Sequence, residues 1–176
     1  EFSMLVNLTE LFASEAGRKE KREISSELEV FSNGAETYQI LRKTPVTFLF
    51  TNLAAGKVRV EGEAEVVLEM QCSRCLKDVE QEIRISFMLD VVSPEIPLEE
   101  ADDQTFMEGY SLNVESLLNN EILMSLPTKV LCRPDCKGIC RVCRKDLNLG
   151  ECGCDTFVPD PRMAAIKDIF NANKEV

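Results

Sequence analysis

The sequence predicts an α+β fold that is mostly antiparallel β: a curled or barrel-like sheet with a few helices and a cysteine-rich knuckle. Three observations carry this reading. Apolar residues recur with a period of two between Val58 and Val91, as they do in strands with one buried face. Two later stretches, one near 114–126 and one after Asp160, switch to helical spacing. Six of the eight cysteines crowd into the run from Cys132 to Cys154.

The clearest element is a hairpin. From Val58 to Cys72 the even positions are Val58, Val60, Gly62, Ala64, Val66, Leu68, Met70 and Cys72, while the odd ones are mostly charged or amide residues. The return strand places Val79, Ile83, Ile85, Phe87, Leu89 and Val91 on one face. Cys72 to Asp78 is then the turn, with a CxxC at its tip. Two further strands are expected upstream, at 24–31 and 46–53, giving an antiparallel sheet of four or more strands. The patch Arg18, Lys19, Lys21 and Arg22, interleaved with Glu20 and Glu23, is assigned to a solvated turn.

Downstream, Ser93 to Gly109 holds Glu95, Glu99, Glu100, Asp102, Asp103 and Glu108 without a basic residue, and reads as an exposed acidic loop. A helix from Val114 to Leu126 follows, capped by Asn113 and carrying Leu117, Leu118, Ile122 and Leu126. Pro127 ends it. A last helix begins with Asp160 as N-cap and Pro161 at its first position. Its apolar stripe, Met163, Ile166, Ile169 and Phe170, is expected to dock on the sheet. The expected organisation is a β-rich domain over 4–126, a cysteine knuckle over 127–158, and a docking helix over 159–176. The three residues before Met4 look like a cloning remnant.

At 176 residues the chain is long enough to bury a real core without disulfides. No apolar run approaches bilayer length, and no secretory leader pattern is visible, so the expectation is a cytoplasmic protein with reduced thiols. An oxidised chain with four disulfides is the competing reading. The chain contains no histidine, which removes Ser-His-Asp, Cys-His and His-metal catalysis together.

Cysteines two or three residues apart can bend onto one tetrahedral ion, and eight of them suffice for two four-sulfur sites. The CxxC at Cys72 and Cys75 supplies two ligands and needs two more from elsewhere. Cys132 and Cys136 are the nearest candidates in motif order, forming the first site. Cys140, Cys143, Cys152 and Cys154 have the local form CxxC, loop, CxC, and form the second. Cys132 or Cys136 could instead trade places with Cys140. The run CxxxCxxxCxxC departs from common ferredoxin spacings, so the expected cofactor is zinc, two structural ions, in preference to an iron-sulfur cluster.

The formal net charge is -11, which repels phosphate backbones overall. Yet Lys129 to Lys145 holds six basic residues against Asp135 alone. Within this basic island Lys137, Arg141, Arg144 and Lys145 either offset thiolate charge or touch RNA or an acidic partner.

With these residues in view, the chain resembles the bacterial and plastid YceD family, the large ribosomal RNA subunit accumulation proteins. The likeness runs from Cys72-Ser-Arg-Cys75 through Ser125-Leu126-Pro127 to Cys136-Lys-Gly-Ile-Cys140-Arg-Val-Cys143, then Asp146-Leu-Asn-Leu and Cys152-Gly-Cys154. The family usually has Gly after the position of Cys143, where this chain has Arg144. The resemblance implies a role in synthesis, processing or stability of 23S rRNA and no known catalytic activity. The implied partner is a large-subunit precursor or a basic ribosomal protein, with direct rRNA contact as an open question. No membrane and no small-molecule substrate is expected. Two readings compete: a thiol redox or metal-dependent enzyme using the CxxC pairs, and a structural subunit of another complex.

Overall fold

A computed structural model describes residues 4–99, 102–155 and 160–172. The expected cloning remnant and Glu100 lie outside them. The frame is the hairpin of β6 (Lys57–Gln71) and β7 (Asp78–Val92), fifteen residues each, paired without a break from Lys57↔Val92 to Gln71↔Asp78. At about 3.3 Å per residue each arm is about 50 Å long, so the hairpin holds its CxxC tip far from its open end. The period-two pattern sets the faces: Val58, Val60, Ala64, Val66, Leu68 and Met70 are all buried. Gly62 belongs to that face because Phe87, its cross-strand partner, lays its ring over the position a Cβ would occupy.

β7 takes one whole edge of β6, and two shorter strands share the other end to end. β5 (Val46–Ala54) pairs with Lys57–Glu63, and β4 (Thr37–Lys43) pairs with Val66–Leu68 through an irregularity between Ile40 and Arg42. β2 (Lys19–Ile24) adds to β5, and β3 (Val30–Ser32) adds to β4. The sheet order is β2-β5-β6-β4-β3 with β7 beside β6. This corrects the curled or barrel-like closure expected from the sequence. Among the described residues no pairing joins β7 to β2 or β3. The β2 edge is charged instead: β2 reads KEKREI, and charge on an edge strand opposes further pairing.

Two other expectations need correction. Residues 25–29 are not a strand, because Ser26 bonds the Leu28 amide through its hydroxyl and turns the chain. The basic patch taken for a solvated turn is β2 itself. Exposed Lys19, Lys21 and Glu23 alternate along it with half-buried Glu20, Arg22 and Ile24, and the Arg22 guanidinium lies 5.6 Å from the Phe50 ring centre.

Below the sheet lies the core of Phe48, Phe50, Leu68 and Ile85, closed by Leu8 and Leu11 and by Leu117 and Ile122. The last two belong to α2 (Val114–Ser125), whose N-terminus is capped as expected, with the Ser116 amide donating to Asn113 Oδ1 at 3.0 Å. A small sheet, β1 (Leu5–Asn7), β9 (Ser111–Asn113) and β8 (Met107–Glu108), fastens the N-terminal segment beside the start of α2. The one-turn helix α1 (Thr9–Phe12) follows β1, and buried Asn52 ties it to β5 by donating to the Leu11 and Ser14 carbonyls at 2.6 and 2.9 Å.

The acidic loop is not simply solvated. Asp102 has a side chain only 1% exposed, paired with Lys57 at 2.8 Å, and it accepts the Glu99 amide at 2.9 Å. Gln104 reaches back to the Val92 carbonyl at 2.9 Å. At the C-terminal end Asp160 caps as expected, accepting the Arg162 amide at 2.9 Å, and α3 spans Ala164–Ala172. Met163, Ile166 and Ile169 stand more than half exposed, so the stripe is turned outward at these positions. The Phe170 side chain lies outside those described. Among the described residues no helix is long and apolar enough to cross a membrane.

Candidate metal centres

The turn at the hairpin tip is shaped by two backbone bonds: the Cys72 amide donates to the Lys77 carbonyl at 2.8 Å, and the Leu76 amide to the Cys72 carbonyl at 2.9 Å. Leu76 takes φ 61° to close it. Inside the turn the Arg74 and Cys75 amides face the Cys72 sulfur, and the Lys77 amide faces that of Cys75. Beyond α2, Leu126 and Pro127 run extended, and the segment crosses the tip, where the Ser73 amide donates to the Val130 carbonyl at 2.7 Å. Val130 is buried there, and this anchor delivers Cys132 and Cys136.

The sulfurs of Cys72, Cys75, Cys132 and Cys136 lie within 4.8 Å of one another, and so do those of Cys140, Cys143, Cys152 and Cys154. In the first group Cys72 and Cys136 are 3.8 Å apart and Cys75 and Cys132 are 3.5 Å apart. A metal holding four sulfurs at about 2.3 Å would set them about 3.8 Å from each other. A disulfide requires about 2.05 Å, and all eight cysteines are free. Each group could therefore hold a metal ion.

The second group repeats the local construction of the first. The Cys140 amide donates to the Lys145 carbonyl and the Arg144 amide to the Cys140 carbonyl, both at 2.9 Å, and Arg144 takes φ 60°. Residues 72–77 and 140–145 are thus two copies of one Cys-X-X-Cys-X-Lys turn. Gly153, at φ 71°, lets Cys152 and Cys154 approach from the other side.

The two groups are tied into one body. Asn148 donates to the Cys136 sulfur at 3.4 Å and accepts the Lys137 amide at 2.9 Å. Asp146 pairs with Lys77 at 2.6 Å, so the loop of the second group serves both turns. Arg74 donates to the Cys136 carbonyl at 2.7 Å, and its own backbone lies against Gly138, where a Cβ would sit 3.0 Å from the Arg74 carbonyl oxygen. Spacing alone does not single out Asn148, Asp146, Lys77 or Arg74. The Asp146-Leu-Asn-Leu motif is the one visible signal for the first two.

Electrostatics within each group is uneven. Backbone amides, that of Cys75 foremost, pull Cys72 down to about 6, and the Cys143 and Val142 amides do the same for Cys140. The Asn148 amide lowers Cys136. Cys132 and Cys154 are pushed up to about 12, chiefly by sharing a proton with Cys75 and Cys143. Four sulfurs this close cannot all ionise beside one another, and a divalent cation reverses that balance by deprotonating its ligands. Lys137, Arg141, Arg144 and Lys145 are all exposed on the same module, as is the apolar pair Val142 and Leu149.

A family model described as large ribosomal RNA subunit accumulation protein YceD matches residues 60–170, a span that contains every cysteine. No curated protein and no solved structure matches the chain.

Proposed function

This chain belongs to the YceD family, and from that premise we propose that it is a non-enzymatic factor of large-subunit biogenesis, supporting synthesis, processing or stability of 23S rRNA. It does so by binding a basic ribosomal protein or a precursor particle. The family is named for rRNA accumulation, not for a catalysed reaction. The observation that carries the reading is the pair of four-sulfur groups. Cysteine fills every position of a tetrahedral ion there, and a closed site staples a fold without activating water. Cys72, Cys75, Cys132 and Cys136 would hold one zinc ion and Cys140, Cys143, Cys152 and Cys154 a second.

Charge favours protein contact over grip on naked RNA. A few cations around Lys137, Arg141, Arg144 and Lys145 neutralise few phosphates, and the acidic body opposes wider contact. Co-sedimentation with large-subunit precursors, with and without ribonuclease, tests this. Association that survives ribonuclease is the expected outcome, and charge reversal at Arg141, Arg144 and Lys145 should weaken the ribonuclease-sensitive part of it without loss of zinc. Tight, salt-resistant binding to free rRNA would refute the protein-contact mechanism.

A further inference from the structure

β4 leaves β6 after the Ile40↔Leu68 pair and turns to β3, whereas β7 accompanies β6 to Gln71. Glu69, Met70 and Gln71 therefore have a partner strand on one edge alone among the described residues. Between this open edge and Thr37–Gln39 lies a cleft of about 770 Å³, closed at one end by the CxxC turn and at its side by the segment after α2. An unpaired strand edge at the wall of a cleft is a template for one more strand.

The chemistry of the walls selects the occupant. Glu36, Glu69 and Asp78 line the cleft, and no lysine or arginine does. Glu69 stands directly across from Glu80 on β7, where Arg42 of β4 pairs with Glu80 at 2.7 Å and leaves Glu69 as the carboxylate facing the cleft. Apolar surface alternates with this charge: Tyr38 is half-buried, Met70 is buried, and Leu76 projects at the rim 56% exposed.

We propose that this cleft binds an extended basic peptide segment as an added strand on β6, with cations facing Glu36, Glu69 and Asp78 and alternate apolar side chains facing Met70 and Leu76. The proposal deepens the functional reading above and rests on it for the partner's class: the segment is the arm by which a basic protein is held. A chain of period two presents one face of each kind, and main-chain bonding to β6 makes the affinity tolerant of sequence.

The test uses the full zinc-loaded protein and an acetylated, amidated octapeptide of alternating valine and lysine, followed by fluorescence anisotropy and by amide exchange. The expected result is binding about tenfold or more tighter than that of the valine-glutamate counterpart. Protection should appear at the amides of Glu69 and Gln71, which point away from β7. N-methylation of alternate peptide amides should abolish binding. The triple variant Glu36→Lys, Glu69→Lys, Asp78→Lys should weaken it about tenfold or more. Leu76→Gly, which suits the positive φ and so keeps the fold, should weaken it too. Equal binding of the N-methylated peptide, protection located elsewhere, or displacement by a short oligouridylate would overturn the proposal. These arms need no ribosomal particle. If the wild-type protein fails to sediment with precursors while the peptide arms hold, the functional reading fails and the cleft stands.

Discussion

Arg144 and Leu76 occupy the same place in two copies of one turn, and both accept a left-handed backbone that costs a branched-Cβ or long side chain about 1 kcal/mol relative to glycine. Arg144→Gly should therefore raise stability by up to about 1 kcal/mol, read as a later midpoint in denaturant with zinc content unchanged. A loss of stability would mean that the Arg144 side chain makes contacts worth more than the backbone strain. Gly62 illustrates the opposite constraint. Its Cβ would meet the Phe87 ring at 2.2 Å, so Gly62→Ala should cost about 1–3 kcal/mol; a neutral result would show that Phe87 can swing aside. For Asp102, the Lys57 ammonium, first by hydrogen bond, holds the carboxyl below the usual range, and Lys57 is raised in turn. The carboxylate's contribution is present above its unfolded value near pH 4 and is lost as pH falls through the lower folded value. The lysine's is present below the ordinary lysine value of 10.5 and is lost above the raised folded one. Asp102→Asn should be less stable than wild type at neutral pH, and the gap should close in acid. A gap independent of pH would assign Asp102 a role other than its charge.

At the scale of elements, the hairpin tip, the segment after α2 and the second knuckle act as one unit because bonds cross between them. Replacing Cys72 and Cys75 with Ser should remove one zinc and destabilise the whole domain, since it unpins 130–136 from the tip. Replacing Cys152 and Cys154 should unfold mainly the second knuckle. Asn148 and Asp146 transmit some of that damage to the first group, so Cys136 should become more reactive toward a thiol reagent in the second variant than in wild type. Unchanged reactivity would show that the groups are independent. The β6–β7 hairpin, α2 and the cysteine spacing are legible in the sequence because each is a local repeat of one period. β2 is not, because its half-buried positions Glu20 and Arg22 carry charges that suggest solvent, so the period of two shows no apolar face. The crossing bonds of Lys77 and Arg74 are hidden too, as they join segments more than sixty residues apart that only the folded chain brings together, and spacing does not single out Asn148 either. The open end of the sheet escapes sequence reasoning for a related reason: strand pattern sets faces, while closure depends on which edges meet.

For the whole molecule, an acidic body carries a basic, sulfur-rich module at one end of a long hairpin, and the proposed role is to hold a basic partner there. That proposed role depends on the module being a closed, metal-stapled fold and not a reactive dithiol. The most direct check is metal stoichiometry by native mass spectrometry, combined with X-ray absorption at the metal edge. Two zinc ions per chain, each in a shell of four sulfurs at about 2.3 Å, is the predicted result. One ion per chain, bound iron, or a shell containing an oxygen ligand that exchanges with solvent would contradict it.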